Sequence, residues 1–415
     1  MTAFKPGFLW GASTSPHQTE GNNVNSDWWG REGLYPGMEL SGDANDSYHR
    51  YREDMTLLAE AGLNSYRFGI EWARIEPRPG VFSSALLKHY RAMIDTALEL
   101  GIKPVITLHH FSSPRWFADE GGWSTPNAAE RFARYVKAAS SILGDVGHVV
   151  TINEPNMLAM MLNLEAAALR GELDEWQSPT IENQADSGYK QPPLPVPTPA
   201  DGQHVIDAHH AARELLHENT DALIGWSVAN QAFTAAPGGE ERLREVRWNF
   251  EDLYLEAARD DDFIGVQSYT TQQVDANGLV PHPPHPDNTM IGTAYRPDAL
   301  AMAVHHAANV TKVPVLVTEN GIATPDDERR IAYTHEALLA LSGAVEDGVD
   351  VRGYLHWSLL DNYEWGHWDP KFGLVEVDRN TFERRPKKSL HWLGNIARSN
   401  GDGLKRPASA GNTHS

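Results

Sequence analysis

The sequence predicts an α/β fold: a single (β/α)₈ TIM barrel with its active site at the C-terminal ends of the strands. Two observations lead to this fold class. Short apolar runs rich in β-branched residues alternate along the chain with longer stretches of helical period. Two of the runs also end in a glutamate, Glu154 and Glu319, and strand-breaking residues follow at once.

Eight apolar runs of strand length are the strand candidates, at residues 8–12, 64–70, 103–109, 148–153, 222–230, 263–269, 314–319 and 351–357. The helix candidates between and after them are residues 44–61, 83–100, 127–143, 202–219, 240–259, 297–309, 326–347 and 386–398. Asn127 after Pro126 is a candidate N-cap, and Gly101 is a candidate C-terminal stop. Eight alternating pairs favour closure into a barrel. The competing open sheet would be favoured by a Gly-x-Gly-x-x-Gly turn after the first strand, which is not there.

Two segments depart from this regular alternation. Residues 173–199 are dense in proline, which predicts an extended loop that follows the fourth strand and lies near Glu154. Residues 399–415 are polar and rich in Gly, Ser and Asn, which predicts a disordered tail. Residues 1–398 are therefore interpreted as one barrel domain.

Composition restricts the partners. The chain has 35 Lys and Arg against 56 Asp and Glu, a net charge of −21 that repels phosphate backbones and anionic lipid. We therefore expect neither nucleic acid nor a membrane as partner. The absence of cysteine excludes disulfides, thiolate metal sites and cysteine nucleophiles. No secretory signal is visible at the start, so a cytoplasmic location is expected, and a homo-oligomer is left open.

The two strand-end glutamates point to a chemistry. A lone glutamate at such a place is most often a surface charge or part of a helix start. Two of them at matching positions of a barrel can converge on one substrate atom. Cleavage of a glycosidic bond needs this arrangement, because one carboxylic acid protonates the leaving oxygen while a second carboxylate attacks or stabilises the anomeric carbon.

The other strand ends supply polar and aromatic groups suited to a polyhydroxylated ligand. Three His-His pairs begin at His109, His209 and His305, but none has the spacing of a metal site. No phosphate-binding loop or nucleophile elbow occurs either, so neither metal nor cofactor is expected.

Several segments together carry a resemblance to a known family. They are residues 8–13 (FLWGAS), 18–21 (QTEG), 66–72 (YRFGIEW), 107–114 (TLHHFSSP), 151–156 (TINEPN), 318–321 (TENG) and 357–365 (WSLLDNYEW). In this order and over nearly the whole chain, they resemble glycoside hydrolase family 1, the β-glucosidase and β-galactosidase family of retaining (β/α)₈ enzymes.

The resemblance implies a role for each matching residue. Glu154 is similar to the family's acid/base and Glu319 to its nucleophile, which Arg67 and Tyr269 support. Asn153 matches the residue that binds the sugar 2-hydroxyl. The remaining groups that hold the glycone are matched by Gln18, His110, Trp357, Glu364 and Trp365.

Glu364 bears on the substrate. Family members that act on phosphorylated sugars carry a serine there, whereas an anionic Glu364 would repel phosphate and accept hydrogen bonds from the 4- and 6-hydroxyls. The resemblance thus implies a small-molecule β-glycoside that is neutral, such as a glucoside, galactoside or fucoside.

Some positions depart from the family pattern. Phe111 replaces a frequent tryptophan, and Gln267-Ser268 replaces a frequent Asn-Tyr. The apolar, Met-containing stretch 157–169 would suit an aryl or other small aglycone, although a helix-packing face explains it as well. A sugar-binding barrel without catalysis is the alternative function. A barrel lyase or aldolase is less favoured, because no strand end carries the lysine that a Schiff base needs.

Overall fold

The computed structural model describes residues 4–34, 37–169 and 196–404. Eight parallel strands within these ranges close into a barrel, which confirms the predicted fold class. The strands are β1 (Leu9–Ser13), β2 (Ser65–Gly69), β3 (Lys103–Thr107), β4 (His148–Asn153), β5 (Leu223–Ala229), β6 (Ile264–Gln267), β7 (Val315–Glu319) and β8 (Val351–Trp357). Each strand pairs with the next in the chain, and β8 pairs with β1 to close the ring.

Helices cover the outside of the barrel and its C-terminal face. They are α1 (Pro16–Thr19), α2 (Asp27–Arg31), α3 (Ser47–Ala61), α4 (Trp72–Ile75), α5 (Ser84–Glu99), α6 (Arg115–Asp119), α7 (Ala128–Ser140), α8 (Pro155–Leu169), α9 (Pro199–Asn219), α10 (Glu240–Arg247), α11 (Leu253–Ala257), α12 (Ala299–Thr311), α13 (Asp327–Glu346) and α14 (Lys388–Arg398). Short strands outside the barrel are Thr234–Ala235, Gln273–Asp275 and Gly278–Val280 in one small sheet, and Val375–Val377 and Arg384–Pro386 in another. None of the described helices combines the length and apolarity needed to cross a bilayer.

The predicted helix at 240–259 is interrupted. A π-helical turn, Trp248–Asp252, separates α10 from α11. Val246 and Phe250 pack into one apolar cluster, with Phe233 and Met160, whereas Tyr254 and Leu255 pack into the main core around the barrel. The extra residue of the π turn rotates the apolar face of α11 relative to that of α10, so that the two helices can pack against different clusters. The helical period of the sequence does not show this rotation.

Two other predicted boundaries need correction. The proline-rich loop was expected to run to Pro199, but Pro199 begins α9, and Thr198 caps that helix through a capping box with Asp201. Residues 173–195 of that loop lie outside the described residues. The expected disorder from residue 399 is wrong for 399–404, because Asn400 donates to the carbonyl of Phe4 and accepts from Trp10. Residues 405–415 also lie outside the described residues.

The interior of the barrel divides into an apolar and a polar half. Leu9, Val105, Val150, Phe263, Leu316 and Leu355 form a buried cluster toward the strand starts. At the other end, the register places Ser13 of β1 beside Arg67 of β2 and Trp357 of β8. Charged and hydrogen-bonding groups are therefore gathered at the C-terminal face above an apolar floor.

Candidate active site

Glu319 and Glu154 both lie at the C-terminal face. Glu319 is the last residue of β7, and Glu154 follows the last residue of β4 directly. Glu319 is 4% exposed, and Glu154 is half-buried. Arg67 donates both to Glu319 and to Asn153, the residue before Glu154, so the two strand ends meet around one guanidinium. The charge of Glu319 also contributes to the raised pKa of Glu154. The structure thus brings the two predicted glutamates together, although they are far apart in the sequence.

Two neighbours hold the carboxylate of Glu319. The Arg67 Nη1 donates to Oε1 over 2.5 Å, and the Tyr269 hydroxyl donates to Oε2 over 2.7 Å. Arg67 is fully buried and also donates to the side chains of Thr107 and Asn153. A buried guanidinium with a hydrogen bond from each of its three nitrogens is a fixed positive charge, and it favours the ionised form of Glu319.

The two carboxyl groups have different environments. Burial raises the pKa of Glu154 well above its usual range, and the negative charge of Glu319 raises it further, against a smaller opposing effect of Arg67. Burial also raises the pKa of Glu319, but Arg67, Tyr269 and Gln267 oppose that rise through charge and hydrogen bonds. Proton loss is therefore easier from Glu319, and Glu154 holds its proton to higher pH.

The backbone at Glu154 has an unusual conformation. Its φ is +45°, in the left-handed region that a non-glycine residue rarely adopts. The Glu154 N–H donates to the Ser227 carbonyl over 2.7 Å. Buried Asn156 bonds both the N–H and the carbonyl of Ala229 and donates to the Phe250 carbonyl. These contacts hold the turn that aims the Glu154 side chain, and strain of this kind is commonly found at functional sites.

Asn153 connects the two sides of the site. Its Oδ1 accepts from Arg67 and, over 2.8 Å, from Gln267. Its Nδ2 lies 3.4 Å from Nε2 of His110. Burial, together with the charge of Arg67 and with His109, holds the pKa of His110 well below its ordinary value. A neutral His110 can accept from Asn153, so this network fixes which end of the Asn153 amide is the donor.

Aromatic rings form one wall of the site. His110 lies nearly parallel to Trp357, with ring centroids 5.7 Å apart, and nearly parallel to Trp365, with centroids 6.0 Å apart. The Phe111 ring meets Trp365 edge-on at 5.1 Å. Phe111 and Trp365 both have positive φ, +64° and +47°. The wall therefore offers flat apolar faces, which suit a sugar ring. The left-handed backbone at Phe111 and Trp365 is unfavourable by itself, so the contacts around these residues must stabilise it.

Glu364 lies beside this wall. Trp357 Nε1 donates to one of its oxygens over 3.1 Å, and Gln18 Nε2 donates to the other over 3.2 Å. Burial raises the pKa of Glu364 to about 8, despite the hydrogen bonds that oppose the rise. At a pKa of about 8 the protonated form of Glu364 is favoured at neutral pH, and the anionic Glu364 stays a prediction. A protonated carboxyl can both donate to and accept from sugar hydroxyls, but it does not repel phosphate by charge.

Gln18 is completely buried. Its Oε1 accepts from Ser15, and its Nε2 lies within hydrogen-bond distance of Asn362 Oδ1 and the Tyr363 carbonyl as well as Glu364. These contacts tie α1 to the loop after β8. The structure thus places Gln18 at the predicted site and shows that it supports Glu364, while its contact with a sugar stays a prediction.

The family is shown by comparison with known proteins. The model of glycosyl hydrolase family 1 matches residues 1–179 and 249–402. This chain belongs to glycosyl hydrolase family 1. It is therefore an O-glycosyl hydrolase.

The relatives of this family 1 hydrolase extend over its whole length. The 1,4-beta-D-glucan glucohydrolase of Thermotoga neapolitana is 30% identical, over 97% of this chain and 99% of the relative. A bifunctional beta-D-glucosidase/beta-D-fucosidase of Bifidobacterium breve is 31% identical, over 94% of this chain and 97% of the relative. The crystal structure of the beta-glycosidase BGL167 superposes with a TM-score of 0.83 at 40% identity, over 98% of this chain and 100% of that one.

Sequence reasoning missed several residues of the family 1 site. Gln267 was noted as a departure from the family pattern, but its hydrogen bond from β6 to Asn153 was not predicted. Asn156 stands directly after the Glu-Pro pair, and its position there was the available signal. His17 and Glu32 pack behind Trp365, and nothing local in the sequence connects Glu32 with the loop after β8.

Proposed function

We propose that this family 1 hydrolase is a retaining β-glycosidase. Its substrates would carry a terminal non-reducing β-D-glucosyl residue, or a galactosyl or fucosyl one, on an aryl or other small aglycone. The observation that carries the proposal is the unequal pair of carboxyl groups. Glu319 has a buried cation and a tyrosine hydroxyl on its two oxygens, whereas Glu154 has a pKa raised by burial and by Glu319.

The reaction would proceed in two displacements. Ionised Glu319 attacks the anomeric carbon while protonated Glu154 gives its proton to the leaving oxygen, and a covalent glycosyl-enzyme forms. The charge of Glu319 is lost in that bond, which lowers the pKa of Glu154. Glu154 can then take a proton from water, which attacks the anomeric carbon and restores both groups. No metal or cofactor is required by this scheme.

The glycone would bind between the aromatic wall and Asn153. Arg67 and Gln267 both donate to Oδ1 of Asn153, which fixes the orientation of its side-chain amide. The Nδ2 of Asn153 would then donate to the sugar 2-hydroxyl, a contact that strengthens in the transition state. Glu364, with its raised pKa, would exchange hydrogen bonds with the 4- and 6-hydroxyls. A neutral sugar is supported because the positive charge of Arg67 is already paired with Glu319 and is not free to bind a phosphate. The proposal also agrees with the glucosidase and fucosidase activities named for the relatives.

The aglycone preference rests on α8. Met160 is buried against Phe233 and Phe250, so this part of the Met-containing stretch is a packing face. Met157 is half-buried one turn earlier, close to Glu154 in the chain. A flexible thioether at that place would suit flat aryl leaving groups of differing shape.

The test is the Glu319→Ala variant assayed on a chromogenic aryl β-glucoside. We expect the wild type to be active and the variant to lose turnover, by roughly 10⁴-fold or more, as for loss of a catalytic nucleophile. Azide should restore turnover and yield the α-glycosyl azide, because a small anion can occupy the site of the missing carboxylate. Undiminished activity of the variant would refute Glu319 as nucleophile. A wild type that binds glycosides without cleaving them would support the alternative, a sugar-binding barrel.

The stereochemistry can be checked separately. Retention requires the two carboxyl groups to lie about 5–5.5 Å apart, whereas about 6.5–9.5 Å indicates inversion. NMR of the first-formed sugar distinguishes the two, and a first-formed α-product would refute retention.

A further inference from the structure

His17 and Glu32 form a hydrogen-bonded pair that is almost entirely buried. Their Nε2 and Oε1 atoms are 2.8 Å apart, and the two side chains are 0% and 2% exposed. The second oxygen of Glu32 accepts from the Ser41 N–H over 3.0 Å. Burial would raise the pKa of Glu32, but the hydrogen bonds from His17 and Ser41 lower it below its ordinary value, so Glu32 is a carboxylate.

This buried pair touches the aromatic wall of the site. The His17 ring is parallel to Trp365, at 6° with centroids 5.6 Å apart. Trp365 in turn lies nearly parallel to His110. His17 also immediately precedes Gln18, whose side chain bonds Glu364. The pair therefore lies directly behind two of the residues predicted to hold the sugar.

Glu32 also anchors a second segment. Residues 38–41, here called the clamp segment, run along the loop that carries Glu364 and Trp365. The clamp residue Glu39 donates through its N–H to the Gly366 carbonyl, and its side chain accepts from the Trp368 N–H, both over 2.8 Å. Its own carbonyl accepts from the Tyr363 hydroxyl, also over 2.8 Å. The bond from Ser41 to Glu32 joins this segment to His17 and α1.

We propose that His17 and Glu32 are a positioning pair that sets the geometry of Trp365 and Glu364, and thereby the recognition of the sugar at its 4- and 6-hydroxyls. This inference rests on the proposed glycosidase function. A buried polar pair contributes little stability compared with an apolar replacement, but when its hydrogen bonds are made it fixes the geometry of the groups around it. Trp365, with φ at +47°, is held in place only by such surrounding contacts.

The experiment compares Glu32→Gln with wild type on two substrates, an aryl β-glucoside and the matching aryl β-xyloside. Xylose lacks the C6 hydroxymethyl group, so it cannot use that part of the Glu364 contact. We expect the variant to raise KM for the glucoside by roughly tenfold, with a smaller change in kcat, since misplacement of a binding group weakens binding steeply. The xyloside should change less, so the glucoside-to-xyloside ratio of kcat/KM should fall.

Asp261→Asn is the matched control. Asp261 pairs with His209 over 3.0 Å, both side chains are 0% exposed, and the His209 ring is stacked on Trp226 at 4.1 Å. This second pair also joins a buried histidine to a carboxylate, with Arg213 as a further partner of Asp261 over 3.0 Å. It involves α9 and not the loop after β8, so its loss should lower the thermal midpoint without changing the substrate ratio. An equal change of ratio in Asp261→Asn and Glu32→Gln would mean a general structural role and would overturn the proposal.

A double variant, His17→Phe with Glu32→Gln, keeps a ring against Trp365 and leaves no unpaired charge. This double variant replaces Glu32→Gln as the test if Glu32→Gln does not fold. A folded double variant with an unchanged glucoside-to-xyloside ratio of kcat/KM also overturns the proposal. Failure of the proposed function would look different, because the wild type would then cleave neither substrate.

Discussion

Tyr269→Phe isolates one hydrogen bond on the proposed nucleophile. The hydroxyl donates to Glu319 Oε2 over 2.7 Å, and the carboxylate is 4% exposed, so water cannot readily replace the lost donor. A hydrogen bond to a charged group contributes about 1.5–3 kcal/mol. With about 1.4 kcal/mol to each pKa unit, the loss should raise the pKa of Glu319 by roughly one to two units.

The sign of the pH effect follows from the role of Glu319. The lost bond stabilised the carboxylate, so its removal favours the protonated form. Because Glu319 must be ionised to attack, the acid limb of kcat/KM should move to higher pH by that amount. The basic limb, which reports Glu154, should move much less.

The assay is the pH profile of kcat/KM on an aryl β-glucoside, with Tyr90→Phe as control. Tyr90 is also buried and also donates to a glutamate, Glu20, over 2.9 Å, but this pair lies away from the two carboxyl groups of the site. We expect Tyr90→Phe to leave both limbs in place. An acid limb that stays in place in Tyr269→Phe, or moves equally in both variants, would refute the assignment of Glu319 as the ionised group.

Further predictions concern the acid, the pocket and the stability of the fold. Glu154→Ala should slow cleavage of phenyl β-glucosides by about 10²–10⁴-fold, the usual contribution of a general acid. Cleavage of dinitrophenyl β-glucosides should slow much less, because dinitrophenolate leaves without a proton. Steady-state and burst kinetics would measure both rates, and equal losses would contradict the acid role. Glu364→Ala should raise KM for glucosides more than for xylosides, and a uniform rise would count against a contact at the 6-hydroxyl. Asp54→Asn leaves Arg384 buried without its charge partner, both side chains being 1% exposed and 2.8 Å apart, and should cost about 3–5 kcal/mol in urea unfolding with KM unchanged; the exposed pair of Lys388 and Glu328 is the control, because Glu328→Gln should cost about 1 kcal/mol or less.

The strands and long helices could be predicted because each depends on the spacing of apolar residues within a short stretch of sequence. Each barrel strand is found near its predicted place, since short apolar runs with β-branched residues have few other ways to be buried. Where two apolar faces had to point in different directions, as at the π turn Trp248–Asp252, the local pattern failed. Short helices at the C-terminal face, such as α1 and α4, also went unpredicted, because single turns leave almost no periodic signal.

The sequence by itself determined which residues reach the strand ends, because strand period and strand-stopping residues are local properties. It therefore placed Glu154 and Glu319 on one face of a barrel, whereas the role of Arg67 followed only from the family resemblance. Only the tertiary structure decided the partners, the charge state and the orientation of those groups. Arg67 and Tyr269 meet Glu319 across long stretches of chain, burial raises the pKa of Glu364 to about 8, and Glu32 joins His17 behind the aromatic wall. Charge state and orientation depend on desolvation and on partners distant in the chain, and these exist only when the chain is folded.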